Sequence, residues 1–240
     1  MQPTDGARPG DRGSTLAETL TTVETITFDC YGTLIDWKGG LTQFFATTFG
    51  RAAPRGVDEL FDLYVRTEAA IEAGSYRSYR QVLGEVAQRL AEHLHIDLSP
   101  NSSNTLAEAL PRWTPFVDTG DALVRLKRRY RLGVLSNIDR DLFGATSKHF
   151  PVAFDFVITA EDVRAYKPSP AHFHRLLSEF AERQTTLHVG QSPFHDGIPA
   201  GQTGLAFVWI NRYKQCNDTM VTPLAELPDL KSLADAADAV

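Results

Sequence analysis

The sequence is poor in cysteine, in long apolar runs and in excess positive charge. Its two cysteines, Cys30 and Cys216, provide neither a disulfide framework nor a CxxC metal motif, which favours a reducing, cytoplasmic environment. No run of about 18 apolar residues occurs, so no membrane-spanning segment or membrane partner is expected. The net charge of −6 argues against binding to the phosphate backbone of nucleic acid.

The chain has enough apolar residues for a substantial core. Of its 240 residues, 42% are hydrophobic, which suits one sizeable domain or a core with a smaller insertion. Residues 1–22 are instead rich in Thr, Gly, Pro and charge, without the apolar run of a secretion signal. We predict that this segment is a disordered leader.

Short β-branched or aromatic runs alternate with helix-like segments along most of the chain. The predicted strands are 25–29, 132–136, 156–159, 187–190 and 205–210, and the predicted helices between or after them are 120–131, 139–149, 169–180 and 231–237. This alternation predicts an α/β fold with a Rossmann-like, mainly parallel sheet and helices on both faces. Ser169 followed by Pro170 predicts a helix N-cap and first turn.

A long helical segment separates the first two predicted strands. In residues 37–114, apolar positions recur at helical spacing, as in Leu60, Tyr64 and Ile71. We therefore predict an inserted all-helical cap at 37–114, with a loop at 101–104, and a core formed by 23–36 and 115–240.

One aspartate stands out at the end of the first strand. Residues 27–36 read TFDCYGTLID, so an apolar run delivers Asp29 into a Gly-Thr turn. Such a carboxylate lies at the carboxyl edge of the sheet, where α/β proteins build their sites. Asp29 is therefore the candidate nucleophile.

The stretch around Asp29 resembles the first motif of the haloacid dehalogenase superfamily. Three further segments resemble its other motifs in matching order: residues 134–137 (VLSN), residues 165–168 (AYKP) and residues 189–192 (VGQS), which run on to Asp196. Together the four segments extend the resemblance over about residues 24–212.

Two positions distinguish among the activities of this superfamily. Its magnesium-dependent phosphatases carry acids where this chain has Tyr31 and Gln191. A phenol is a poor partner for leaving-group protonation, and an amide lacks the charge that a hard cation requires. The first motif, DxYGTL, instead resembles the type II L-2-haloacid dehalogenases, which implies a hydrolase without metal or cofactor.

The resemblance implies roles for nine residues. Asp29 would attack the substrate α carbon and form a covalent ester, Lys167 would keep Asp29 charged, and Asp196 would position or activate water. The residues expected to contact substrate are Tyr31, Thr33, Ser136, Asn137, Gln191 and Ser192. Thr33, Ser136 and Asn137 would donate hydrogen bonds to the carboxylates of enzyme and substrate, although Ser136 and Asn137 also fit as turn residues.

Some substrate-facing positions depart from the dehalogenase pattern. Phe173 stands where those enzymes have a tyrosine, and Gln191 and Pro193 replace a serine and an asparagine. Their halide-binding arginine has no counterpart without a shift in alignment, after which Arg66, Arg77 or Arg80 are the candidates. His195, beside Asp196, is expected either to support the contact residues from behind or, as the favoured interpretation, to be a surface histidine.

These residues leave several functions open. The favoured one is hydrolysis of a small 2-substituted carboxylic acid, most simply a 2-haloacid converted to a 2-hydroxy acid. A rival keeps Asp29 but breaks another bond at the α carbon, such as the C–N bond of a small cyclic amino acid. A magnesium-dependent phosphatase and a non-catalytic binding protein are the remaining alternatives. Pairing of two chains through apolar cap residues is also left open.

Overall fold

The computed structural model describes residues 14–50, 57–98 and 105–240. Within them, six parallel strands form one sheet in the order β3-β2-β1-β4-β5-β6. The strands are β1 (Thr25–Phe28), β2 (Arg131–Ser136), β3 (Phe156–Thr159), β4 (Thr186–Gly190), β5 (Ala206–Ile210) and β6 (Ala225–Leu227). The predicted α/β fold is therefore confirmed. The short edge strand β6 was not predicted.

Helices surround this sheet and also form most of the segment between β1 and β2. The α-helices that the structure describes are α1 (Leu16–Thr22), α2 (Trp37–Thr48), α3 (Val57–Glu72), α4 (Tyr79–His93), α5 (Thr105–Ala109), α6 (Thr119–Lys127), α7 (Arg140–Thr146), α8 (Ala160–Val163), α9 (Ala171–Glu179), α10 (Ile198–Thr203) and α11 (Leu230–Asp238). The N-cap of α9 is Pro170, without a side-chain hydrogen bond, so the predicted Ser169 cap is wrong.

Both faces of the sheet are covered. Successive residues of a strand point to opposite faces of the sheet, so a strand that is covered on both faces has every side chain buried. All four residues of β1 are buried in this way. One face packs in a cluster with Leu123 and Leu233 of α6 and α11. The other packs in a cluster with Phe173 and Leu176 of α9.

The end of the predicted leader is ordered. Thr15 and Glu18 form a capping box at the start of α1, and Leu20 is fully buried. The Tyr130 hydroxyl donates to the backbone oxygen of Leu20 at 2.9 Å. The prediction of disorder is therefore wrong for residues 16–22, because their apolar face packs on the core, while residues 1–13 lie outside the described residues.

Helices α2 to α5, which we call the helical insert, lie over the carboxyl edge of the sheet. Asp139, just after β2, accepts hydrogen bonds from the backbone nitrogens of Tyr79 and Arg80 at 2.7 and 2.8 Å and so holds the start of α4. The Tyr166 hydroxyl donates to the backbone oxygen of Arg77 at 2.8 Å. The predicted loop at 101–104 lies outside the described residues, and the domain division at 37 and 114 stays a prediction.

No helix in the described ranges combines the length and the apolar character needed to cross a membrane.

Candidate active site

The turn after β1 fixes the carboxylate of Asp29. Gly32 has a φ of 96°, a conformation that glycine adopts without strain, and its turn brings Thr33 back towards the strand end. The Thr33 hydroxyl donates to Asp29 Oδ2 at 2.9 Å and accepts from the backbone nitrogen of Gln191 at 2.9 Å. The ends of β1 and β4 thus hold one oxygen of Asp29 through a single hydroxyl.

Lys167 holds the other oxygen of Asp29. Its Nζ donates to Asp29 Oδ1 at 2.9 Å, to Asp196 Oδ1 at 2.6 Å and to the backbone oxygen of Leu135 at 2.8 Å, so all three of its hydrogens are used. Only 2% of Lys167 is exposed. One buried ammonium is therefore shared by two carboxylates.

Asn137 positions the segment that carries Lys167. Its side-chain oxygen accepts from the backbone nitrogen of Lys167 at 2.7 Å, and its amide nitrogen donates to the backbone oxygen of Lys167 at 3.1 Å. The amide therefore fixes the lysine backbone and, among the described contacts, does not donate to Asp29. Donation to a substrate carboxylate stays a prediction, because the amide nitrogen has a second hydrogen.

Asp196 lies in a π-helical turn, Pro193–Gly197, that begins with Ser192 as its N-cap. Asp196 Oδ2 accepts from the backbone nitrogen of Ser192 at 3.3 Å, and Oδ1 lies 3.4 Å from His188 Nε2. The other ring nitrogen of His188 lies 2.8 Å from the Thr27 hydroxyl. A neutral imidazole that accepts from Thr27 would donate to Asp196, which fixes its carboxylate.

The shared ammonium makes the two carboxylates unequal. Burial raises the pKa of Asp29, and Lys167 only partly opposes this. Burial would also raise the pKa of Asp196, but the charge of Lys167 and the bond from His188 outweigh it and lower that pKa. Burial acts to lower the pKa of Lys167, but both carboxylates outweigh it and raise that pKa. Lys167 therefore favours the anion of Asp196 more strongly than that of Asp29.

A cavity of about 410 Å³ lies between this ionic group and the helical insert. Of the nine residues predicted for the site, all except Thr33 line it: Asp29, Tyr31, Ser136, Asn137, Lys167, Gln191, Ser192 and Asp196. Thr33 is buried behind Asp29. Apolar side chains complete the wall, namely Trp37, Phe61, Val65, Pro193, Phe194 and Trp209. The cavity thus combines an apolar part with many polar and charged groups, in a volume typical of small-molecule sites.

Some predicted contact groups are already engaged within the protein. The Tyr31 hydroxyl bonds the Thr146 hydroxyl at 2.7 Å, and the Gln191 amide nitrogen donates to Gln215 at 2.7 Å. Phe173 is fully buried, with its ring centroid 4.8 Å from that of His188. Tyr31 and Gln191 therefore form part of the cavity wall, and Phe173 packs against the ring of His188.

Two expectations about basic side chains have definite outcomes. His195 lines the cavity and its Nδ1 lies 3.2 Å from the Ser192 hydroxyl, so its prediction as a surface histidine is wrong. Burial lowers the pKa of His195 to about 4. Arg66, Arg77 and Arg80 are not among the described residues that line the cavity.

The sequence reasoning missed several polar residues at this site, and three of them matter for its chemistry. Glu68 and Glu72 of α3 line the cavity, and His188 supports Asp196 from β4. The glutamates lie four and eight residues after Tyr64, on the helix face that periodicity had assigned to packing. His188 could have been noticed as a histidine between the apolar residues Leu187 and Val189 of a buried strand.

The donor atoms do not fit a magnesium site of the phosphatase type. Mg²⁺ requires oxygen ligands in near-octahedral geometry. Both oxygens of Asp29 already accept hydrogens, from Lys167 and Thr33, and Asp196 Oδ1 accepts from Lys167. The position after Gly190 supplies an amide that is bonded to Gln215. All four carboxylate oxygens of Asp29 and Asp196 therefore accept hydrogen bonds from the protein.

A parallel sheet, a helical insert and a buried acid–lysine–acid group at the sheet edge define a class of hydrolases with a Rossmann-like core. The family model described as haloacid dehalogenase-like hydrolase matches residues 23–203. The chain belongs to this family.

Relatives with assigned activities support the same placement. The (S)-2-haloacid dehalogenase of Pseudomonas sp. (strain YL) is 27% identical over 222 residues, which cover 89% of this chain and 94% of the relative. Haloacetate dehalogenase H-2 of Moraxella sp. (strain B) is 26% identical, covering 80% of this chain and 87% of the relative. Among solved structures, the L-2-haloacid dehalogenase of Xanthobacter autotrophicus with chloropropionic acid covalently bound has a TM-score of 0.79 at 19% identity, covering 91% and 99% of the two chains.

Proposed function

We propose that this protein is a metal-independent hydrolase that uses Asp29 as a covalent nucleophile on a small 2-substituted carboxylic acid, with a 2-haloacid as the simplest substrate. The observation that carries the proposal is the Lys167 ammonium, bonded at once to Asp29 and Asp196 beneath a cavity of substrate size. The haloacid dehalogenase activity of the relatives agrees with it.

Attack on the α carbon needs an ionised, oriented carboxylate. Lys167 and Thr33 each hold one oxygen of Asp29, which fixes the plane of the carboxylate against the cavity. As an Asp29 oxygen bonds to the α carbon, halide departs with the electron pair of the broken carbon–halogen bond. No proton donor is needed, because halide is a stable anion.

Water then hydrolyses the ester at the Asp29 carbonyl carbon. The product leaves as a 2-hydroxy acid, the Asp29 carboxylate is restored with one oxygen from water, and the remaining proton of that water passes to the solvent. Both oxygens of Asp196 already accept hydrogen bonds, from Lys167 and from the backbone of Ser192, so we assign it the orientation of water and of Lys167 rather than proton abstraction.

The donor set supports the proposed independence of metal. The carboxylate oxygens that a cation would use are bonded to Lys167, Thr33 and the backbone of Ser192. Lys167 supplies the positive charge that a metal supplies in a phosphatase site.

A second candidate reaction keeps the same nucleophile but breaks the C–N bond of a small cyclic amino acid. It is favoured by the positions of Arg66, Arg77 and Arg80, none of which lies among the described cavity-lining residues. The described wall therefore lacks the guanidinium that would hold a departing halide.

Halide release tests the proposal. The purified protein is incubated with (S)-2-chloropropionate in the presence of EDTA, and chloride and lactate are measured, with Asp29→Asn as control. Chloride and lactate formed in equal amounts, and lost in the control, would support the haloacid activity. If the folded protein releases no chloride, that substrate is excluded, and small cyclic amino acids are assayed for ring opening under the same conditions.

A further inference from the structure

The wall of the active-site cavity is strongly acidic. Its lining contains five carboxylates, those of Asp29, Glu68, Glu72, Asp196 and Asp218, whereas Lys167 is the single lysine or arginine among the described residues that line it. All three hydrogens of Lys167 are used by protein oxygens. No lysine or arginine among the described lining residues therefore has a hydrogen left to donate to the carboxylate of a substrate.

Glu68 is held in a defined position by two phenols. The hydroxyls of Tyr64 and Tyr79 both donate to Glu68 Oε1 at 2.7 Å, from α3 and from α4. Both tyrosines are buried. Burial raises the pKa of Glu68, while the two phenol bonds favour its anion. The carboxylate is thus fixed at the junction of two helices, on the cavity wall.

Glu72 lies one helical turn beyond Glu68, on the same face of α3. It lines the cavity and makes no hydrogen bond or ion pair with the residues that the structure describes. Burial raises the pKa of Glu72 well above its usual range, and the neighbouring charge of Glu68 adds to this. The two carboxylates therefore hold a proton more readily than usual while no cation lies between them, and a positive group placed there would stabilise their anions.

The neighbouring wall is aromatic. Trp37 and Phe61 line the same cavity, and their ring centroids are 4.7 Å apart. Aromatic faces attract ammonium groups and are compatible with the alkyl part of a small substrate. Carboxylates and aromatic rings together are the side chains that bind organic ammonium ions.

We propose that Glu68 and Glu72 form a subsite for a positively charged amino group, so that the preferred substrate is a small zwitterion that carries both a carboxylate and an amine. This inference rests on the proposed function, because it takes Asp29 as the group that attacks the α carbon. The substrate class is inferred from the carboxylates that the helical insert contributes to the cavity wall.

A strained cyclic amino acid of this class gives a balanced reaction. An Asp29 oxygen bonds to the α carbon, the Cα–N bond breaks, and its electron pair stays on nitrogen. Water then cleaves the ester at the Asp29 carbonyl carbon and releases a proton, which the freed amine takes up. The product is an open-chain 2-hydroxy acid with a terminal ammonium, the group that the glutamate subsite would hold.

Matched pairs of unreactive acids test the subsite on the full chain. Calorimetry compares 4-aminobutyrate with pentanoate, and 3-aminopropionate with butyrate, because each pair differs only by an ammonium in place of a methyl. We expect the amino member of at least one pair to bind about tenfold more tightly to the wild type, equivalent to about 1.4 kcal/mol. The Glu72→Gln and Glu68→Gln/Glu72→Gln variants should lose this preference.

A control on the same helix separates the subsite from net charge. Glu59, in the first turn of α3, is exposed and lies outside the cavity lining, so Glu59→Gln should keep the preference. Glu72→Gln breaks no described hydrogen bond and relieves repulsion with Glu68, so it should unfold at the wild-type temperature or above it.

Three results would overturn the subsite: equal or tighter binding of the methyl members, a preference that survives in the double variant, or no binding of either amino acid in the millimolar range. The fate of the proposed function is separate. Halide release that depends on Asp29, without any ammonium preference, would leave the nucleophile assignment and remove the subsite. Ammonium preference without Asp29-dependent turnover of any acid would leave the subsite and remove the nucleophile assignment.

Discussion

Replacing Lys167 by methionine tests the electrostatic basis of the site. Methionine keeps an unbranched side chain of similar length but removes the ammonium from Asp29 and Asp196, to which Nζ lies at 2.9 and 2.6 Å. The two carboxylates are then buried together with no counter-charge. The pKa of Asp29, already raised by burial, must rise further.

The size of the effect follows from the geometry. Opposite unit charges about 4 Å apart interact by roughly 4 kcal/mol at an effective dielectric constant of about 20. Because about 1.4 kcal/mol corresponds to a factor of ten, the ionised form of Asp29 should be disfavoured on the order of 10³-fold. We expect kcat/KM at neutral pH to fall about 10²- to 10³-fold, with the acid limb of its pH profile moved to higher pH.

Folding stability provides a second readout of the same substitution. The pKa of Lys167 is raised in the folded protein, so its stabilising contribution is full below its ordinary pKa and is lost as the pH rises through the folded value. At neutral pH the contribution is present, and breaking such a buried pair costs about 3–5 kcal/mol. Thermal unfolding should therefore occur at a lower temperature in Lys167→Met.

The matched control is Lys127→Met, which removes a lysine paired with Asp155 near the surface. Pairs of that kind contribute about 0–1 kcal/mol, so both the rate and the pH profile should stay close to those of the wild type. An unshifted acid limb in a folded Lys167→Met protein would refute the reasoning, because Asp29 would then be ionised without its lysine.

Three further predictions concern the groups around Asp29. Thr33→Val removes the hydrogen bond to Asp29 Oδ2, worth about 1.5–3 kcal/mol for a charged acceptor, and should lower kcat/KM about tenfold or more, whereas Thr33→Ser should retain most of it. His188→Phe loses the contact to Asp196 and should slow ester hydrolysis more than ester formation, so that acid-quenched protein shows an added substrate mass; equal slowing of both steps would argue against this role. EDTA should leave the rate unchanged, and restoration of a lost rate by Mg²⁺ would contradict the metal-free site.

Much of the sheet and its ionic group could be predicted from the sequence. The predicted strands have short apolar signatures, and their carboxyl ends must meet at one edge of a parallel sheet. Asp29, Ser136 and Asp196 follow three such strands and therefore lie close together. Lys167 required the resemblance, because a lysine in a loop carries no periodic signal.

Other features depend on tertiary contacts that a pattern does not encode. Helix α1 was predicted as disorder because its stability comes from packing and a capping box rather than from a long amphipathic run. The side chain of Asn137 was predicted to contact substrate, and its bonds to the backbone of Lys167, thirty residues away in sequence, were not predicted. Glu68 and Glu72 were overlooked because periodicity assigns a helix face without showing whether it meets a core or a cavity.

The most direct test of the central claim is to locate oxygen from water after one turnover. The protein, in excess over an acid that it turns over, reacts in ¹⁸O-labelled water, and mass spectrometry then measures the label in the product and in the peptide that contains Asp29. Covalent catalysis predicts that the label enters the Asp29 carboxylate and that the first hydroxy acid released is unlabelled. Label in that first product, with none in Asp29, would show that water attacks the substrate directly and would contradict the account.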